Sequence, residues 1–427
     1  MHRIKIVIIA GVFFPEPSPT GKCVLQYANI LKENYDVSVV FIQSGLEKIN
    51  GVSEQGLILY ALFNLRLYLE NYFIAKAKKK DHSIIQKFFQ LMVLFIKAVG
   101  RIQSNILWPN NLRWFYKKAY KKLLELHQKT QIDCIFTINS PFTAHLAGRK
   151  FKSNFPNVRW MTYTVDPFSS VIKEHSNFLF PKLRGKIDLR EERNIYQQAD
   201  INFVSEEVYA TDQAIFAEVI DKIIPLPYML IEIPTTKKEY FSSENINLLY
   251  AGRFYRSIRN PEYFFRAFLE IENPKIILHL YATSDCEQLI EKYIRLSKDR
   301  IIRYDPVGIE EIQKIMTKAD ILISIGNSSA AFKPSKTFEY ISAGKPIIHF
   351  YQNGNRDDIL DQYPLSLQID QNEPDIIKSA NLLQIFCIKN KCKSIAWNEI
   401  SSIYSKHSRI SIQKLLFQGV ENNFVHK

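Results

Sequence analysis

The chain has 427 residues, of which 46% are hydrophobic and 13% aromatic. This length predicts two or three domains, and the composition supplies enough apolar side chains for real cores, which excludes a disordered or fibrous protein. The net charge of +13 is concentrated, because residues 66–122 hold about thirteen Lys or Arg and only two acidic residues.

The first apolar run, Ile4–Ala10, predicts a buried strand and not a signal peptide. It is rich in Ile and Val, lacks a small-residue cleavage site and leads into a turn-rich loop, Gly11–Gly21. A helix around Val24–Leu31 and a strand over Val37–Ile42 follow. No stretch of the sequence reaches the roughly 18–20 apolar residues that span a bilayer, so an integral membrane protein is not expected.

The basic segment, about residues 60–128, is predicted to be a helical insert. Two sets of apolar residues recur at three- and four-residue spacing: Ile85, Phe88, Met92, Phe95 and Val99, then Leu112, Phe115, Ala119, Leu123 and Leu126. Basic amphipathic helices are typical of proteins that lie on anionic membranes, which predicts peripheral attachment to the inner face of the cell membrane. Alternatively, these faces pack on the domain core and the lysines are simply solvated. Nucleic-acid binding is not expected, since no zinc finger, helix-turn-helix or RNP-like string accompanies the charge.

The remaining sequence alternates strands with helices. In the N-terminal half the predicted elements are a strand over Asp133–Asn139, a helix through His145 and Lys150, a strand over Val158–Val165, a helix over Arg190–Ala199 and a strand over Ile201–Ser205. After a proline-containing linker, Pro225–Glu239, the predicted strands are Ile246–Ala251, Ile276–Tyr281, Ile301–Tyr304, Ile321–Ile325 and Pro346–Tyr351. Such alternation predicts an α/β fold with two Rossmann-like, doubly wound parallel sheets. The expected domains are residues 1–235, residues 236–395 and a C-terminal helical segment, 396–427, that packs back on the first domain.

The string KPSKTFEYISAGKP predicts a phosphate-binding helix. Ser335 is a good N-cap, and Gly344 follows at the position where helices end. Free N–H groups near residues 336–338 attract phosphate, and Lys336 adds a positive charge, while Glu339 is placed to accept hydrogen bonds from a ribose diol. Alternatively, Ser335 is an ordinary cap and the two charged side chains are merely solvated.

A second string, LLYAGRFYRSIRNP, brings arginines to the end of a strand. Arg253, Arg256 and Arg259 around one loop suit a diphosphate, because arginine grips phosphate bidentately; alternatively, they are scattered surface arginines. No D-x-D string follows a strand, so no metal is expected, and the Asp357-Asp358 pair has the pattern of a solvated helix start.

Candidates for a general base come from the first half of the chain. Asp166 follows a predicted strand and could deprotonate an acceptor hydroxyl, or it could simply form an Asp-Pro turn. His145 and His175 are weaker candidates, because a lone histidine is usually structural.

Several strings, in this order and spacing, resemble the large retaining "group 1" family of GT-B glycosyltransferases, of the glycosyltransferase family 4 type. Those of the second half resemble its donor-binding domain: GRFYRSIRNPEYF, KADILISIG and KPSKTFEYISAGKPII. Those of the first half resemble its acceptor domain: FFPEPSPTG, SPF, YTVDPFS and EERNIYQQADINFVSEE. The resemblance implies a GT-B fold, in which two Rossmann-like domains face a central cleft.

The resemblance also assigns roles to single residues. Arg253 and, with a one-residue offset, Arg259 would grip the donor diphosphate, Gly21 would let the backbone approach the phosphates, and Asp166 would lie on the acceptor side. The complete donor-binding set is then Gly21, Gly252, Arg253, Arg259, Ser335, Lys336, Thr337 and Glu339, and the catalytic set is Asp166, Arg253 and Lys336. Ala331 stands where the family has the first of two glutamates, the one that usually touches the sugar.

The expected activity is transfer of a sugar from a nucleotide-diphosphate donor to a glycan or lipid-linked saccharide in cell-surface polysaccharide synthesis. The resemblance implies retention of the anomeric configuration. No metal or other cofactor is expected, because the arginines would neutralise the leaving group. The odd number of mostly distant cysteines favours a reducing compartment, hence a cytoplasmic enzyme. The alternatives are a GT-B epimerase and a non-catalytic protein that binds a nucleotide sugar or a lipid headgroup.

Overall fold

The structure is a computed structural model that describes residues 3–13, 19–43, 50–52, 56–77, 84–169, 180–328 and 336–421. The chain divides into two compact units, one comprising residues 1–227 and 410–427 and the other residues 228–409. Each has its own sheet and its own buried core.

The first unit is built on a largely parallel sheet. Its strands are β1 (Lys5–Val12), β2 (Asp36–Ile42), β3 (Asn50–Val52), β4 (Ile58–Leu62), β5 (Cys134–Ile138), β6 (Arg159–Thr164), β7 (Ile201–Val204) and β8 (Ile223–Pro225). In the described residues the strand order is β3-β4-β2-β1-β5-β6-β7-β8, and only the short edge strand β3 pairs antiparallel. The predicted Ile/Val run forms β1, whose central residues are buried, as expected for a parallel strand covered on both faces.

Helices cover this sheet. They are α1 (Pro19–Leu31), α2 (Leu65–Ala77), α3 (Ile84–Ile106), α4 (Arg113–Lys129), α5 (Thr143–Asn154), α6 (Pro181–Gln198) and α7 (Glu206–Ile215). The predicted helix over 190–199 is therefore only the second half of α6, and the last predicted loop residue, Gly21, lies in α1.

The second unit contains a six-stranded parallel sheet within the described residues. Its strands are β9 (Ile246–Phe254), β10 (Ile276–Ser284), β11 (Ile301–Arg303), β12 (Ile321–Ile325), β13 (Ile347–Tyr351) and β14 (Ser366–Asp370). Its helices are α8 (Glu262–Leu269), α9 (Glu287–Leu296), α10 (Ile309–Lys318), α11 (Lys336–Ser342), α12 (Asp358–Asp361), α13 (Ile376–Asn390) and α14 (Trp397–Ile403). The order β11-β10-β9-β12-β13-β14 is the 3-2-1-4-5-6 order of a Rossmann sheet, so the predicted α/β class with two doubly wound sheets is confirmed.

The last helix, α15 (Arg409–Glu421), returns to the first unit. The Tyr35 hydroxyl donates to Glu421 Oε1 at 2.7 Å, and the Arg159 guanidinium donates to the Gly419 carbonyl. The boundary between the units falls at Pro227/Tyr228, eight residues before the predicted one, because the chain after β8 already packs on the second unit: the Leu230 N–H donates to the His407 carbonyl at 3.0 Å. For the same reason only 410–427 of the predicted C-terminal segment belongs to the first unit.

The two apolar stripes of the basic insert have different environments. In α4, Phe115, Ala119 and Leu123 are fully buried in the core of the first unit. In α3, by contrast, Phe88 and Phe95 are 54% and 61% exposed, as is most of the predicted stripe. Packing on the core is therefore the correct interpretation for α4, whereas α3 presents its apolar face to solvent. None of the described helices is long and apolar enough to cross a bilayer.

Candidate functional site

The sheet topology indicates where each unit can bind a ligand. In doubly wound sheets, ligands bind beyond the carboxyl ends of the strands at the point where the strand order reverses. In the second unit this switch point lies between β9 and β12, and in the first unit between β1 and β5. The two candidate sites below lie at or beside these points.

The loop after β9 carries the predicted arginines. Tyr255 and Arg259 pair as a short antiparallel bridge, with N–H to carbonyl distances of 3.2 and 3.0 Å, and this bridge folds the loop back on the strand. The Arg253 side chain is exposed, and its guanidinium carbon lies 5.0 Å from the centre of the Tyr255 ring. The local sequence thus returns Arg259 to the strand end that Arg253 occupies.

Arg259 connects the two sides of the switch point. Its Nε donates to Asn327 Oδ1, just beyond β12, at 3.0 Å, and its Nη1 reaches the Arg253 carbonyl at 3.4 Å. Burial raises the pKa of the nearby Tyr250 phenol, and the positive charge and hydrogen bond of Arg259 partly oppose this rise. Asn327 was not predicted, although its place directly after a buried strand is a usable signal.

Helix α11 brings Lys336 to the same strand. The Lys336 ammonium donates to the Ala251 carbonyl, and the buried Tyr340 hydroxyl both accepts from the Ala251 N–H and donates to its carbonyl, each at 3.2 Å. Arg253, Arg259 and Lys336, here called the cationic cluster, therefore surround residues 251–253 of β9. Gly252 lies among them, and an added Cβ there would come within 3.1 Å of the Tyr250 hydroxyl.

The remaining predicted residues of α11 have different environments. The Thr337 side chain is 2% exposed and donates to Asp357 Oδ2 at 3.0 Å, so it holds α11 in place and only its main chain can contact a ligand. Asp357 also accepts from the Ile359 N–H and is buried, so the expectation of a solvated helix start was wrong for this residue. Glu339 is half-buried in the first turn of α11.

Two predicted positions near α11, Ser335 and Ala331, lie outside the described residues. Gly21 was predicted in the first loop, but it is buried in the first turn of α1, because that helix begins at Pro19. The glycine at which two backbone segments come close together is instead Gly11, in β1, which lies against the loop after β5. A Cβ at Gly11 would lie 2.1 Å from the Ser140 carbonyl oxygen, so only glycine fits where β1 meets the loop after β5.

Asp166 follows β6 and is exposed. Asn139, at the end of β5, holds its turn: the amide nitrogen donates to the Asp166 carbonyl at 2.5 Å, and the amide oxygen accepts from the Val165 N–H at 3.2 Å. The buried Glu192 holds the next two residues, accepting from the N–H groups of Phe168 and Ser169 at 2.9 and 3.2 Å. Residues 166–169, here called the Asp166 loop, are thus fixed at several points.

The histidines are poor base candidates. His145 is buried, its Nδ1 shares a hydrogen bond with Thr137 Oγ1 at 2.7 Å, and burial lowers its pKa to about 3. A histidine with that pKa is neutral near pH 7 and binds a proton too weakly to act as a base. His175 lies outside the described residues. Among those described, no group of three or more His, Cys, Asp or Glu is placed to hold a metal ion.

Comparison with known proteins gives the fold. No protein-family model and no curated sequence matches the chain. Among solved structures, a sucrose-phosphate synthase from Thermosynechococcus elongatus is similar over 98% of this chain and 99% of its own, with a TM-score of 0.65 at 15% identity. The lipopolysaccharide outer core galactosyltransferase WaaB matches over 99% and 100%, with a TM-score of 0.59 at 12% identity. A UDP-GlcNAc 2-epimerase from Neisseria meningitidis, bound to UDP-GlcNAc, matches over 98% and 100%, with a TM-score of 0.54 at 12% identity. The chain has the GT-B fold, as the sequence resemblance implied.

Proposed function

We propose that the protein is a glycosyltransferase that moves a sugar from a nucleotide-diphosphate donor to a glycan or lipid-linked saccharide in cell-surface polysaccharide synthesis. One observation carries this proposal: the cationic cluster converges on the end of β9, at the switch point of a Rossmann-ordered sheet. Three cations at this place suit a diphosphate better than they suit a neutral ligand. Similar folds occur in a protein named as a galactosyltransferase and in an epimerase bound to a nucleotide sugar.

In the proposed reaction the bond between the anomeric carbon and the diphosphate oxygen breaks, and the acceptor oxygen bonds to that carbon. The leaving nucleoside diphosphate gains negative charge, which Arg253, Arg259 and Lys336 stabilise without a metal ion. The acceptor proton passes either to Asp166 or to the leaving phosphate, so no protein nucleophile is needed. Glu339 binds the ribose hydroxyls, and the configuration of the sugar is retained, as the family resemblance implies.

Nucleotide binding tests the donor site. We expect the protein to bind UDP-sugars and GDP-sugars with different affinities. Arg253→Ala and Glu339→Ala should each lower the affinity for the more tightly bound nucleotide sugar about tenfold or more, the usual loss for a charged hydrogen bond. Arg266→Ala serves as the control, because Arg266 is an exposed arginine on α8 outside the cluster. Unchanged affinity in both site variants would remove the donor-site assignment.

A GT-B epimerase is the second candidate, favoured by the similarity to the UDP-GlcNAc 2-epimerase. Product analysis after a single turnover separates the candidates. Transfer to an acceptor, or slow release of free sugar, supports a transferase, whereas conversion of the nucleotide sugar to its C2 epimer supports an epimerase. Tight binding with no chemistry at all would indicate the non-catalytic binder.

We further propose that α3 attaches the protein to the inner face of the cell membrane. Exposed apolar residues form one long stripe along this helix: Ile84, Phe88, Leu91, Phe95, Val99, Ile102 and Ile106. Lys87, Lys97 and Arg101 lie on the same helix, and a basic amphipathic helix with an apolar face this wide binds anionic bilayers through both features.

Flotation with vesicles of equimolar phosphatidylcholine and phosphatidylglycerol tests this attachment. The protein should float at low salt, and Phe95→Asp should abolish flotation. Ile385→Asp is the matched control, since Ile385 on α13 is 62% exposed, close to the 61% of Phe95. Failure of the unmodified protein to float, or equal loss in the control, would refute attachment through α3.

A further inference from the structure

One face of α6 carries three polar side chains that are all buried. Arg184, Asp188 and Glu192 follow each other at four-residue spacing and therefore lie on one side of the helix. Buried charged groups need partners to offset their lost hydration. Here the partners come from two other segments, the end of α3 and the Asp166 loop.

The first two of these side chains hold the end of α3. Arg184 Nη2 donates to the Asn105 carbonyl and to its Oδ1, at 2.8 and 3.0 Å. Two residues after α3, the Trp108 indole N–H donates to Asp188 Oδ1 at 2.6 Å. The helix with the exposed apolar stripe is therefore anchored at its end to α6.

Trp108 also packs against the Asp166 loop. Its ring stacks on Phe168 with centroids 5.3 Å apart and planes 12° apart, and Phe168 stacks in turn on Phe142 at 3.8 Å and 5°. The guanidinium carbon of Arg184 lies 5.2 Å from the centre of the Trp108 ring. The Phe168 ring is thus held between one aromatic from the basic insert and one from the core.

The third buried side chain, Glu192, fixes the main chain beside that ring. Its two carboxylate oxygens accept from consecutive N–H groups, those of Phe168 and Ser169. Burial raises the pKa of the Glu192 carboxyl, and its hydrogen bonds from Phe168 and Ser169 oppose that rise because they favour the charged form. Asp166 lies two residues before Phe168, so the place of its carboxylate depends on the hold on Phe168 and Ser169 as well as on the bond from Asn139 to its own carbonyl.

We propose that Glu192 and Trp108 are positioning residues for Asp166, and that Trp108 thereby makes the apolar insert part of the acceptor site. The assignment of Asp166 to the acceptor rests on the proposed function. The hold of Glu192 and Trp108 on the loop does not, and the two can be tested separately.

Amide hydrogen exchange of Val165, Asp166, Phe168 and Ser169 tests the hold directly, in the full chain and without a ligand. In Glu192→Gln only one side-chain oxygen can accept, so one of the two amides, Phe168 or Ser169, should exchange about tenfold faster. Trp108→Leu, which removes the aromatic ring and the indole N–H together, should accelerate both amides, and Trp108→Phe should restore most of the protection. Strand β6 should keep its protection throughout, which separates a local change from general unfolding.

Trp114→Leu is the matched control. Trp114 lies in α4, its indole N–H has no hydrogen-bond partner among the described residues, and its ring packs on Phe115. Equal acceleration in this control, or unchanged exchange in both Glu192→Gln and Trp108→Leu, would overturn the proposal. If Trp108→Leu fails to fold, the proposal is tested by Glu192→Gln and Trp108→Phe. Glu192→Gln should accelerate exchange of one of the two amides, and Trp108→Phe should exchange nearly as slowly as the unmodified protein.

Slow hydrolysis of UDP-glucose, or of UDP-N-acetylglucosamine, provides the functional readout, with water in the acceptor's place. Glu192→Gln should lower kcat about tenfold and leave KM within twofold, because the donor residues lie in the other unit. A change in KM as large as the change in kcat would indicate a merely structural role. If the unmodified protein hydrolyses neither compound, the proposed function loses support, and the exchange experiment still decides whether Glu192 and Trp108 hold the loop.

Discussion

Arg259 is the residue of the cationic cluster whose replacement should have the widest effect. Its guanidinium is half-buried and reaches both Asn327 at 3.0 Å and the Arg253 carbonyl at 3.4 Å. A guanidinium has five N–H donors, so these bonds leave donors for a phosphate. Arg259→Ala should therefore reduce both ligand affinity and stability.

The expected magnitudes follow from these contacts. Each hydrogen bond between a charged group and the diphosphate is worth about 1.5–3 kcal/mol, so loss of one should raise the Kd for UDP or GDP about 10- to 100-fold. Loss of the hydrogen bonds that Arg259 makes within the protein should lower the free energy of unfolding by about 1–3 kcal/mol. Arg259→Lys keeps the charge but not the planar fork, so it should recover part of the affinity and little of the stability.

Calorimetric titration with UDP and GDP measures the affinity, and urea denaturation measures the stability. Arg253→Ala provides the contrast, because Arg253 is exposed and its side chain should affect affinity with little effect on stability. A folded Arg259→Ala protein with unchanged affinity for both nucleotides would refute the assignment of Arg259 to the diphosphate. Unchanged stability would instead refute its role in joining β9 to β12.

Three further outcomes are expected from the packing of the first unit. Burial, with the nearby charge of Glu192, raises the pKa of Asp212 to about 8. The folded protein therefore holds this proton more tightly than the unfolded chain, and the free energy of unfolding should fall as the pH rises from about 4 to about 8. The fall should be smaller in Asp212→Asn, which cannot lose this proton. Urea denaturation midpoints of both proteins at pH 5 and pH 8 check this. An equal fall in the midpoint of the unmodified protein and of Asp212→Asn would contradict it. Gly11→Ala should lower the melting temperature strongly, since its Cβ would lie 2.1 Å from the Ser140 carbonyl oxygen. An unchanged melting temperature would mean that β1 and the loop after β5 separate easily. Phe115→Ala should cost about 3–5 kcal/mol of unfolding free energy, whereas Phe88→Ala, on the exposed stripe of α3, should cost less than about 1 kcal/mol, and similar losses would show that α3 is also packed.

Much of the fold was predictable because parallel strands leave a strong signal. Strands such as β1 and β12 consist mainly of Ile, Val and Leu, and their burial on both faces requires an apolar composition. The short edge strand β3 has no such requirement and was missed. The environments of α3 and α4 could not be told apart either, since both helices carry the same apolar period and only the tertiary structure shows which face is covered.

The proximity of the three residues of the cationic cluster was predictable, but the contacts of each side chain were not. Arg253, Arg259 and Lys336 come together because β9 and β12 are neighbours in the sheet. The alternation of strands and helices along the sequence already predicts such a sheet. The use of each side chain is a different matter. Thr337 lies between two predicted ligands, yet its hydroxyl is bonded to Asp357, which comes from a segment twenty residues later. No local pattern reveals such a pairing, and the same is true of the contacts that Glu192 and Trp108 make.

The return of α15 to the first unit has a consequence for how the chain folds during synthesis. Gly419 lies so close to the sheet that a Cβ there would come within 2.7 Å of the Phe203 ring, so the main chain of this helix is part of the packing of the first unit. The ribosome must therefore synthesise the chain through α15 before that unit can be completed, whereas residues 228–409 are contiguous and emerge earlier. The second unit can reach its final structure while the first still lacks α15, and removal of α15 should damage the first unit and leave the second intact.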